Sequence, residues 1–409
     1  MKRNRVRLSF GAAVLALLVA VGIGLTVFQQ DTAAQSAPVY SVDPWFPRPF
    51  AEDYWVIGSV TGVTVDHMNR VWVVHRGNAS LEGNERGMYP NPGQAPSSSV
   101  CCLAAPYVLE YDTAGNLVSS WGGPSSGYKW PEVPGGIAVD AGGNVWITAA
   151  GSDPAPAGRG GPPPAPAGGA PAAAPPADAH VLKFSRDGRH LLTIGTPGKT
   201  ELSPTTLNRP SAVAVDSATN EVFVGDMGNR RVVVFDATSG AFKRQWFAYG
   251  EQAAGADPGP YTAGGPAAKS FRDISCIELA RDGEVYVCDK SSNRIQVFDR
   301  SGKYLREGVI APNTMGGVLA GSFGVINASG SVWDVAVSAD QRYLFVADGV
   351  NKKVHILNRS DLKEVGTFGQ GGRYPGTFLV VNAVATDAGG NVYTGETHHG
   401  KRVQKFVRQ

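Results

Sequence analysis

The sequence predicts an all-β fold, a six-bladed β-propeller with four-stranded antiparallel blades. Three observations predict it: one hairpin pattern occurs six times, a second hairpin follows most copies of the first, and no segment beyond the N-terminal leader has a helical period. The composition agrees with this prediction. The 52 Gly and 28 Pro among 409 residues provide many turns, and a hydrophobic content of 43% provides a core.

The first hairpin alternates apolar with small or polar residues, turns at Asp, Gly or Asn, and resumes with β-branched and aromatic residues. Period-2 alternation on both sides of such a turn is typical of a β-hairpin. The six copies are GVTVDHMNRVWVVH from Gly62, GIAVDAGGNVWITA from Gly136, AVAVDSATNEVFVG from Ala212, CIELARDGEVYVCD from Cys276, DVAVSADQRYLFVA from Asp334 and AVATDAGGNVYTGE from Ala383.

The second hairpin completes each blade. Its copies are YVLEYDTAGNLVSSWG, HVLKFSRDGRHLLTIG, RVVVFDATSGAFKRQW, RIQVFDRSGKYLREGV and KVHILNRSDLKEVGTFG. The last blade is incomplete, because KRVQKFVRQ supplies its third strand and the chain then stops. An uncovered strand edge promotes aggregation, so we expect the segment after the leader, around APVYSVDPWF, to pair with this edge and close the ring.

The turn between the second and third strands is similar in three blades, with GDMGNRRVVVFD, CDKSSNRIQVFD and ADGVNKKVHILN. We interpret it as structural, because one ligand would not need the same turn three times. An acid is expected to accept backbone N–H groups, an asparagine to adopt the left-handed conformation, and a basic residue to begin the third strand on the solvent side. These residues are Asp226, Asn229 and Arg230; Asp289, Asn293 and Arg294; and Asp348, Asn351 and Lys352.

Residues 1–37 are predicted to be a signal peptide or an N-terminal membrane anchor, followed by the propeller in residues 38–409. Four basic residues precede the uncharged apolar run Leu8–Phe28, which is typical of an export signal. The run is also long enough to span a bilayer, so cleavage and an uncleaved anchor both remain open. We therefore expect an exported protein: periplasmic, on the cell surface or secreted.

The charge of the chain bears on its partners. The formal net charge is +2, and four positive charges belong to the leader, so the propeller is faintly acidic. The propeller therefore lacks the excess of positive charge that nucleic-acid binding requires. We expect a monomer that contacts a membrane only through an N-terminal anchor.

One insertion and four cysteines interrupt the repeats. The insertion, Pro154–Ala177, consists almost entirely of Pro, Ala and Gly and is predicted to be a disordered or polyproline-like excursion. Cys276 and Cys288 flank a hairpin turn and are expected to be either a cross-strand disulfide or two buried thiols. Cys101 and Cys102 are adjacent, and their spacing does not decide whether they pair.

The repeated patterns G-x-A-V-D, G-N-V-W or E-V-Y-V, and D-x-x-N-R-x-V-x-x-F resemble the NHL repeat family, from about Pro38 to the C-terminus. Within that family the layout is similar to the peptidyl-α-hydroxyglycine amidating lyase domain. VWVVHRG, which ends at Gly77, resembles that enzyme's first-blade segment, and the resemblance makes Arg76 the candidate catalytic arginine.

The same resemblance implies a zinc ion held by three histidines at the start of three innermost strands, a tyrosine near the metal, and a structural calcium in the channel. Matching the repeats places the histidine positions on Gly135, Ser275 and Asn382, and the tyrosine position near Met227. None of the first three can replace imidazole as a zinc ligand. The sequence therefore predicts no zinc site.

The chain's own seven histidines do not rebuild this site in the predicted fold, because no three converge. His398 and His399, adjacent in the turn of the last blade, are the first candidates if a metal site has been relocated. The sequence also lacks HExxH, a P-loop and a paired-cysteine metal motif.

A ring of small or polar residues is predicted at one mouth of the central channel, one from each blade. Its members are Thr61, Gly135, Ser211, Ser275, Trp333 and Asn382. With Arg76 supplying charge and Trp333 stacking, this mouth could hold a small polar or anionic ligand. The alternative is that these residues are spacers that let six strands approach the axis.

The sequence favours an exported binding or interaction module whose partner is an unknown protein or a small polar ligand. No cofactor is expected beyond the structural calcium that the resemblance suggests. The rival hypothesis is an enzyme, either a divergent amidating lyase with relocated metal ligands or another chemistry that uses Arg76. A purely structural spacer is the third.

Overall fold

Six four-stranded antiparallel sheets form the fold that the sequence predicts. The computed structural model describes residues 37–52, 54–82, 85, 102–151, 177–315, 317–321 and 324–409, of which Val39–Gln409 belong to one compact unit. The predictions for the leader, for Cys101 and for nearly all of the Pro/Ala/Gly-rich insertion lie outside these residues. Within the described ranges, no helix has the length and apolar character to cross a membrane.

The strands follow one another blade by blade. The N-terminal segment contributes β1 (Tyr40–Asp43) and β2 (Trp55–Val56). Blade 1 contains β3 (Val60–Val65), β4 (Val71–His75), β6 (Val108–Tyr111) and β7 (Leu117–Trp121). Between β4 and β6, the short strand β5 (Leu103–Ala104) pairs in parallel with β2. Blade 2 contains β8 (Pro134–Val139), β9 (Val145–Ala149), β10 (His180–Phe184) and β11 (His190–Gly195). Blade 3 contains β12 (Pro210–Asp216), β13 (Glu221–Asp226), β14 (Arg231–Asp236) and β15 (Phe242–Trp246).

The remaining blades repeat this order. Blade 4 contains β16 (Ile274–Leu279), β17 (Val285–Asp289), β18 (Arg294–Phe298) and β19 (Tyr304–Val309). A separate hairpin, β20 (Gly317–Gly321) and β21 (Gly324–Ala328), precedes blade 5. Blade 5 contains β22 (Asp334–Val337), β23 (Tyr343–Asp348), β24 (Lys353–Asn358) and β25 (Glu364–Phe368). Blade 6 contains β26 (Val381–Thr386), β27 (Val392–Glu396) and β28 (Val403–Arg408).

The fourth strand of blade 6 comes from the other end of the chain. β1 pairs antiparallel with β28, with Tyr40 opposite Arg408 and Asp43 opposite Lys405. The backbone N–H of Gln409 also donates to the carbonyl of Val39, at 3.0 Å. The outer edge of β28 is therefore covered.

The hydrophobic core lies between neighbouring blades. The alternation of each strand places one set of apolar side chains on each face of a blade, and that set packs against the next blade. Between blades 4 and 5, for example, Tyr286 and Ile295 share a buried cluster with Leu344 and Leu357.

The turn of the first hairpin is fixed by its aspartate. In blade 1, Asp66 Oδ1 accepts from the N–H groups of Met68 and Arg70, and Asp66 Oδ2 accepts from Trp72 Nε1 at 3.0 Å. The same carboxylate-to-aromatic hydrogen bond joins Asp140 to Trp146 and Asp387 to Tyr393. An aspartate in this turn therefore both reverses the chain and anchors the second strand.

The turn between second and third strands is structural in the blades where it was predicted. Asp226 is fully buried, and its carboxylate accepts hydrogen bonds from Asn208 N, Asn229 Nδ2 and Arg231 Nε. In blade 4, Asp289 likewise accepts from Arg272 N and Arg294 Nε. The acid ties the turn to the segment that enters the same blade.

Two details of that prediction were wrong. Arg294 does not face solvent, because it is 3% exposed and paired with Asp289 at 2.9 Å. The residues in the left-handed conformation are Arg230 (φ 56°), Asn293 (φ 54°) and Lys352 (φ 59°). In blades 3 and 5 the left-handed conformation is therefore adopted by the residue after the predicted Asn229 and Asn351. In all three blades the left-handed residue is the fourth after the buried aspartate, and it is an arginine, an asparagine or a lysine. The position of the chain reversal is therefore set by the aspartate and not by the type of the left-handed residue.

Cys276 and Cys288 of blade 4 form a cross-strand disulfide, one of the two alternatives that the sequence left open. Cys276 lies opposite Cys288 in the β16–β17 register, and a disulfide joins them. Cys102 is also disulfide-bonded.

In blade 5 the buried partner of the acid is a histidine, His355, which lies two residues further along the third strand than the arginines of blades 3 and 4. Its Nε2 lies 3.0 Å from Asp348 Oδ2, and its Nδ1 lies 2.7 Å from Glu364 Oε2. Burial alone would lower the pKa of His355, but the hydrogen bonds to Asp348 and Glu364 outweigh it and raise this pKa above its ordinary value. The protonated imidazole therefore stabilises the fold.

We expect the stabilisation by His355 to depend on pH. Because the folded-state pKa is raised, the contribution is complete below the unfolded value of about 6.5 and is lost as pH rises through the folded value. The melting temperature of the wild type should exceed that of His355→Gln most at low pH, and the difference should shrink towards high pH. Thermal denaturation between about pH 5.5 and 8.5 measures it, with the exposed His67→Gln as control. A difference that grows with pH would contradict this interpretation.

Candidate functional site: the central channel

The innermost strands of all six blades surround a central channel of about 240 Å³. At the end where these strands begin, Thr61, Ser211, Ser275 and Asn382 line the channel. At the other end it is lined by residues such as Val65, which precede the first-hairpin turns. Four of the six predicted ring residues are thus brought together around one opening.

Three of those four residues join neighbouring blades. Ser211 Oγ donates to the carbonyl of Ile274 in blade 4, and Ser275 Oγ donates to that of Val332, at the entrance of blade 5, at 2.9 Å. Asn382 Nδ2 donates to the carbonyl of Thr61 in blade 1 at 3.5 Å. Their donors are directed at the next blade, which agrees with the spacer alternative.

Trp333 does not offer an aromatic face to the channel, contrary to the prediction. Its side chain is 8% exposed, it is not among the channel-lining residues, and its Nε1 donates to the carbonyl of Gly330. Lys290 Nζ lies 4.7 Å from its ring centroid, and Val380 packs against it. The indole fills the gap between blade 5 and its neighbours. The large size of the tryptophan side chain therefore did not indicate that it faces the axis.

Gly135 also lies outside the channel lining, where its neighbour Gly136 takes its place. A Cβ atom at Gly135 would lie 2.9 Å from the carbonyl oxygen of Ser211 and would collide with Thr148 Oγ1. No side chain fits at this position without movement of the neighbouring strand.

Arg76 follows β4 at the same end of the propeller. Its backbone N–H donates to the carbonyl of Ser59, and its side chain is half-buried outside the channel lining. The preceding residue, His75, is fully buried, and burial lowers its pKa to about 4. Nδ1 of this neutral imidazole accepts from the N–H groups of Gly58 and Gly77, so His75 shapes the segment that carries Arg76.

Two carboxyl groups that sequence reasoning missed lie in the channel, Glu278 of β16 and Asp334 of β22. Each is tied to the next blade: Glu278 Oε1 accepts from Val337 N at 3.2 Å, and Asp334 Oδ2 accepts from Val384 N at 2.8 Å. Burial raises the pKa of Glu278 to about 7. Burial also raises the pKa of Asp334 well above its usual range, and the nearby Glu278 raises it further.

The repeats did contain a signal for these two acids. Glu278 occupies a position held by Thr64 and by alanine in the other five copies, and Asp334 one held by glycine, alanine or cysteine. A charged residue at an otherwise small position on the innermost strand must face either the axis or the core, and a core location is unfavourable for an unpaired charge.

The described residues do not fit the zinc site that the family resemblance implies. In the described ranges, no group of three or more His, Cys, Asp or Glu side chains is arranged to hold a metal ion. His399 instead pairs with Glu82 at 2.8 Å, and the His398 carbonyl accepts from Ser59 Oγ. The oxygen atoms in the channel lining, among them the carboxylates of Glu278 and Asp334, are of a type that calcium binds more readily than zinc does.

Comparison with known proteins gives distant similarity. No family model matches the chain. It is 27% identical over 283 residues to peptidylglycine alpha-amidating monooxygenase of Rattus norvegicus, covering 64% of this chain and 24% of the relative. It is 27% identical over 262 residues to the Mus musculus protein (62% and 22%), and 25% over 357 residues to the B form of Xenopus laevis (86% and 34%). The chain thus spans only 22% to 34% of the length of these relatives.

Among solved structures, virginiamycin B lyase from Staphylococcus aureus superimposes with a TM-score of 0.46 and 12% identity, over 90% of this chain and 89% of that one. A streptogramin B lyase superimposes with a TM-score of 0.49 and 8% identity, over 90% and 98%. The chain is a six-bladed β-propeller with homology to part of peptidylglycine alpha-amidating monooxygenase.

Proposed function

We propose that this NHL-type propeller is an exported binding module whose ligand site is the central channel, and that it lacks the zinc-dependent lyase activity of the domain it resembles. The observation that carries this proposal is the use of the three histidine-equivalent positions. Ser275 and Asn382 join neighbouring blades, and Gly135 has no room for a side chain. These positions serve the ring rather than a metal.

The channel is the preferred ligand site because it combines a cavity of about 240 Å³ with polar groups from several blades. Ligand sites are typically concave and contain a few convergent polar groups, some with shifted pKa values. Glu278 and Asp334 meet this description, with a raised pKa at each. If calcium binds the propeller, these carboxylates and the backbone carbonyls around them would hold it.

Zinc content tests the negative half of the proposal. After dialysis of the purified chain without chelator, elemental analysis should find no stoichiometric zinc, and a peptidyl-α-hydroxyglycine should not be cleaved. Stoichiometric zinc that His399→Ala removes and the exposed His67→Ala retains would instead support a relocated lyase site and overturn the proposal.

A thermal-shift screen tests the positive half. Small anionic, cationic and neutral polar compounds are compared, and we expect one class to raise the melting temperature because a ligand that binds only the folded state stabilises it. The test variant, Thr64→Phe, places a large side chain on the channel wall and should abolish the shift. The matched control, Val118→Phe, places the same side chain on an exposed outer strand and should leave the shift unchanged. Absence of any shift, or a shift that Thr64→Phe leaves intact, would overturn the channel as the ligand site.

Export is proposed from the basic leader and apolar run of residues 1–37. A reporter enzyme that is active only outside the cytoplasm, fused after residue 37, should be active. An inactive reporter would contradict export.

A further inference from the structure

We propose that a second pocket, outside the channel, binds a carboxylate joined to a small apolar group, and that Arg230 binds the carboxylate. The pocket has a volume of about 390 Å³ and is formed by blades 3 and 4 and the loops that follow them, at the end of the propeller where the innermost strands begin. It shares no described lining residue with the channel. The inference therefore goes beyond the channel and does not depend on it.

The walls of the pocket are held in place by hydrogen bonds to residues 257–261, in the loop between blades 3 and 4. Arg272 Nε donates to the carbonyl of Gly259 at 2.9 Å. The hydroxyl group of Tyr261 donates to the carbonyl of Pro312, in the loop after blade 4, at 2.7 Å. Both loops are thus tied together across the pocket. A pocket that is already ordered loses little entropy when a ligand binds.

The interior of the pocket offers apolar surface to a ligand. Pro258, Pro260, Tyr261 and Met315 line it, and Met315 is 50% exposed. The proline rings are rigid, whereas a methionine side chain adapts its shape to the group that it contacts. A cavity of this volume, with apolar walls and few charged groups, is typical of sites for small molecules.

The charge of the pocket favours an anion. Its charged groups, among the described lining residues, are the guanidinium groups of Arg230 and Arg272 and the carboxylate of Asp257, so positive charge is in excess. Arg272 forms no ion pair with a described acid, because its guanidinium donates to backbone carbonyls and to Ser292 Oγ. The side chain of Asp257 is 73% exposed, so its pairing with Arg230 is weak.

Arg230 keeps hydrogen-bond donors for a ligand. Its Nη2 donates to Asp257 Oδ2 at 2.9 Å, whereas its Nε and Nη1 have no partner in the described part of the chain. A guanidinium has five N–H donors, in a geometry that matches a carboxylate. The nearby hydroxyl groups are already engaged, because Ser291 Oγ donates to Asp273 Oδ2 and lies 2.8 Å from Ser329 Oγ. Arg230 is therefore the residue that meets the charge of the ligand.

A monocarboxylate with an apolar group fits this pocket better than other ions do. An ammonium ligand would be repelled by the excess of positive charge. Inorganic phosphate has no apolar group, so it would leave the proline, tyrosine and methionine surfaces in water. A free organic acid and the C-terminus of a peptide carry the same carboxylate chemistry, and the experiment distinguishes these two sources.

The experiment is isothermal titration of the full chain with phenylacetate at pH 7. We expect phenylacetate to bind, and phenylacetamide and 2-phenylethylammonium to bind about tenfold more weakly or less, because each lacks the charge-assisted hydrogen bond to a guanidinium. Inorganic phosphate should not bind measurably. Acetyl-glycyl-phenylalanine is titrated in parallel. Tighter binding of this peptide identifies a peptide C-terminus as the source of the carboxylate, and tighter binding of phenylacetate identifies a free acid.

Two variants of the same ion pair should change the affinity in opposite directions. Arg230→Ala should weaken phenylacetate binding by about tenfold or more, because the charged donor is lost. Asp257→Asn should strengthen it by about two- to fivefold, because an exposed carboxylate that competes for Arg230 is removed. Arg342→Ala is the matched control, since Arg342 is 44% exposed and pairs with Asp340 outside this pocket. It should bind phenylacetate as the wild type does.

The inference would be overturned by absence of phenylacetate binding, by equal binding of phenylacetamide or phosphate, or by binding that Arg230→Ala retains. Loss of binding in Thr64→Phe would place the ligand in the channel and would also overturn it. Because Asp257→Asn predicts a gain, a folding defect cannot imitate the expected pair of results. Stabilisation by a carboxylate that Arg230→Ala abolishes belongs to this pocket and does not count against the channel.

Discussion

Replacing Arg231 by alanine is expected to lower the free energy of unfolding by about 3–5 kcal/mol, because it leaves a buried carboxylate without its partner. Arg231 and Asp226 are both fully buried, and Arg231 Nε donates to Asp226 Oδ2 at 2.8 Å. The same guanidinium donates to the carbonyls of Ser203 and Thr206 and to Gln245 Oε1. One side chain thus connects the turn, the segment that enters the blade and the outermost strand.

Arg230, the adjacent residue, is the matched control. Its side chain is 35% exposed and pairs with Asp257, whose side chain is 73% exposed. An ion pair in solvent contributes about 0–1 kcal/mol, so Arg230→Ala should change stability little. Urea denaturation monitored by tryptophan fluorescence measures both variants. Equal losses for Arg230→Ala and Arg231→Ala would mean that the buried pair does not hold the blade.

Replacing Phe46 by alanine is expected to cost about 3–5 kcal/mol, because a large buried ring would leave a cavity between the first and last blades. Phe46 is 5% exposed. Its ring centroid lies 6.1 Å from that of Tyr111 in blade 1 and 5.2 Å from that of Tyr393 in blade 6. It therefore packs where the ring of blades is closed.

Trp45 is the control for this prediction, since it is larger than Phe46 but 68% exposed. Trp45→Ala should change stability by less than about 0.5 kcal/mol. The midpoints of urea denaturation of the two variants measure the difference. If the tryptophan variant were the less stable one, the N-terminal segment would not be anchored through Phe46.

The fold was predictable because the same hairpin recurs, and each copy is locally consistent in alternation and in turn chemistry. The conformation of the connecting turns was less predictable. Asparagine is the usual left-handed residue, and in blade 4 Asn293 does adopt that conformation. In blade 3 the buried Asp226 sets the position of the reversal, so Arg230 adopts it despite its Cβ.

The candidate site was predicted less well than the fold, for a physical reason. Repeat counting places a residue at a height along the axis, but it does not give the direction of its side chain. Trp333 is at the predicted height yet is directed between blades, where Lys290 covers it. Glu278 was overlooked because it was counted as part of an alternating strand, although its carboxyl faces the channel.

The pairing of β1 with β28 has a consequence for the order of folding. The first strand of the propeller to be synthesised pairs with the last, so this contact spans almost the whole chain. Contacts of such long sequence separation are slow to form, because the entropy of closing the loop is lost before the contact stabilises anything. Five blades can form before β1 pairs with β28, and until then the edge of β28 in the sixth blade is unpaired. Folding of this chain should therefore end with a slow step that leaves β28 available to the N-terminal segment of a second copy until its own arrives.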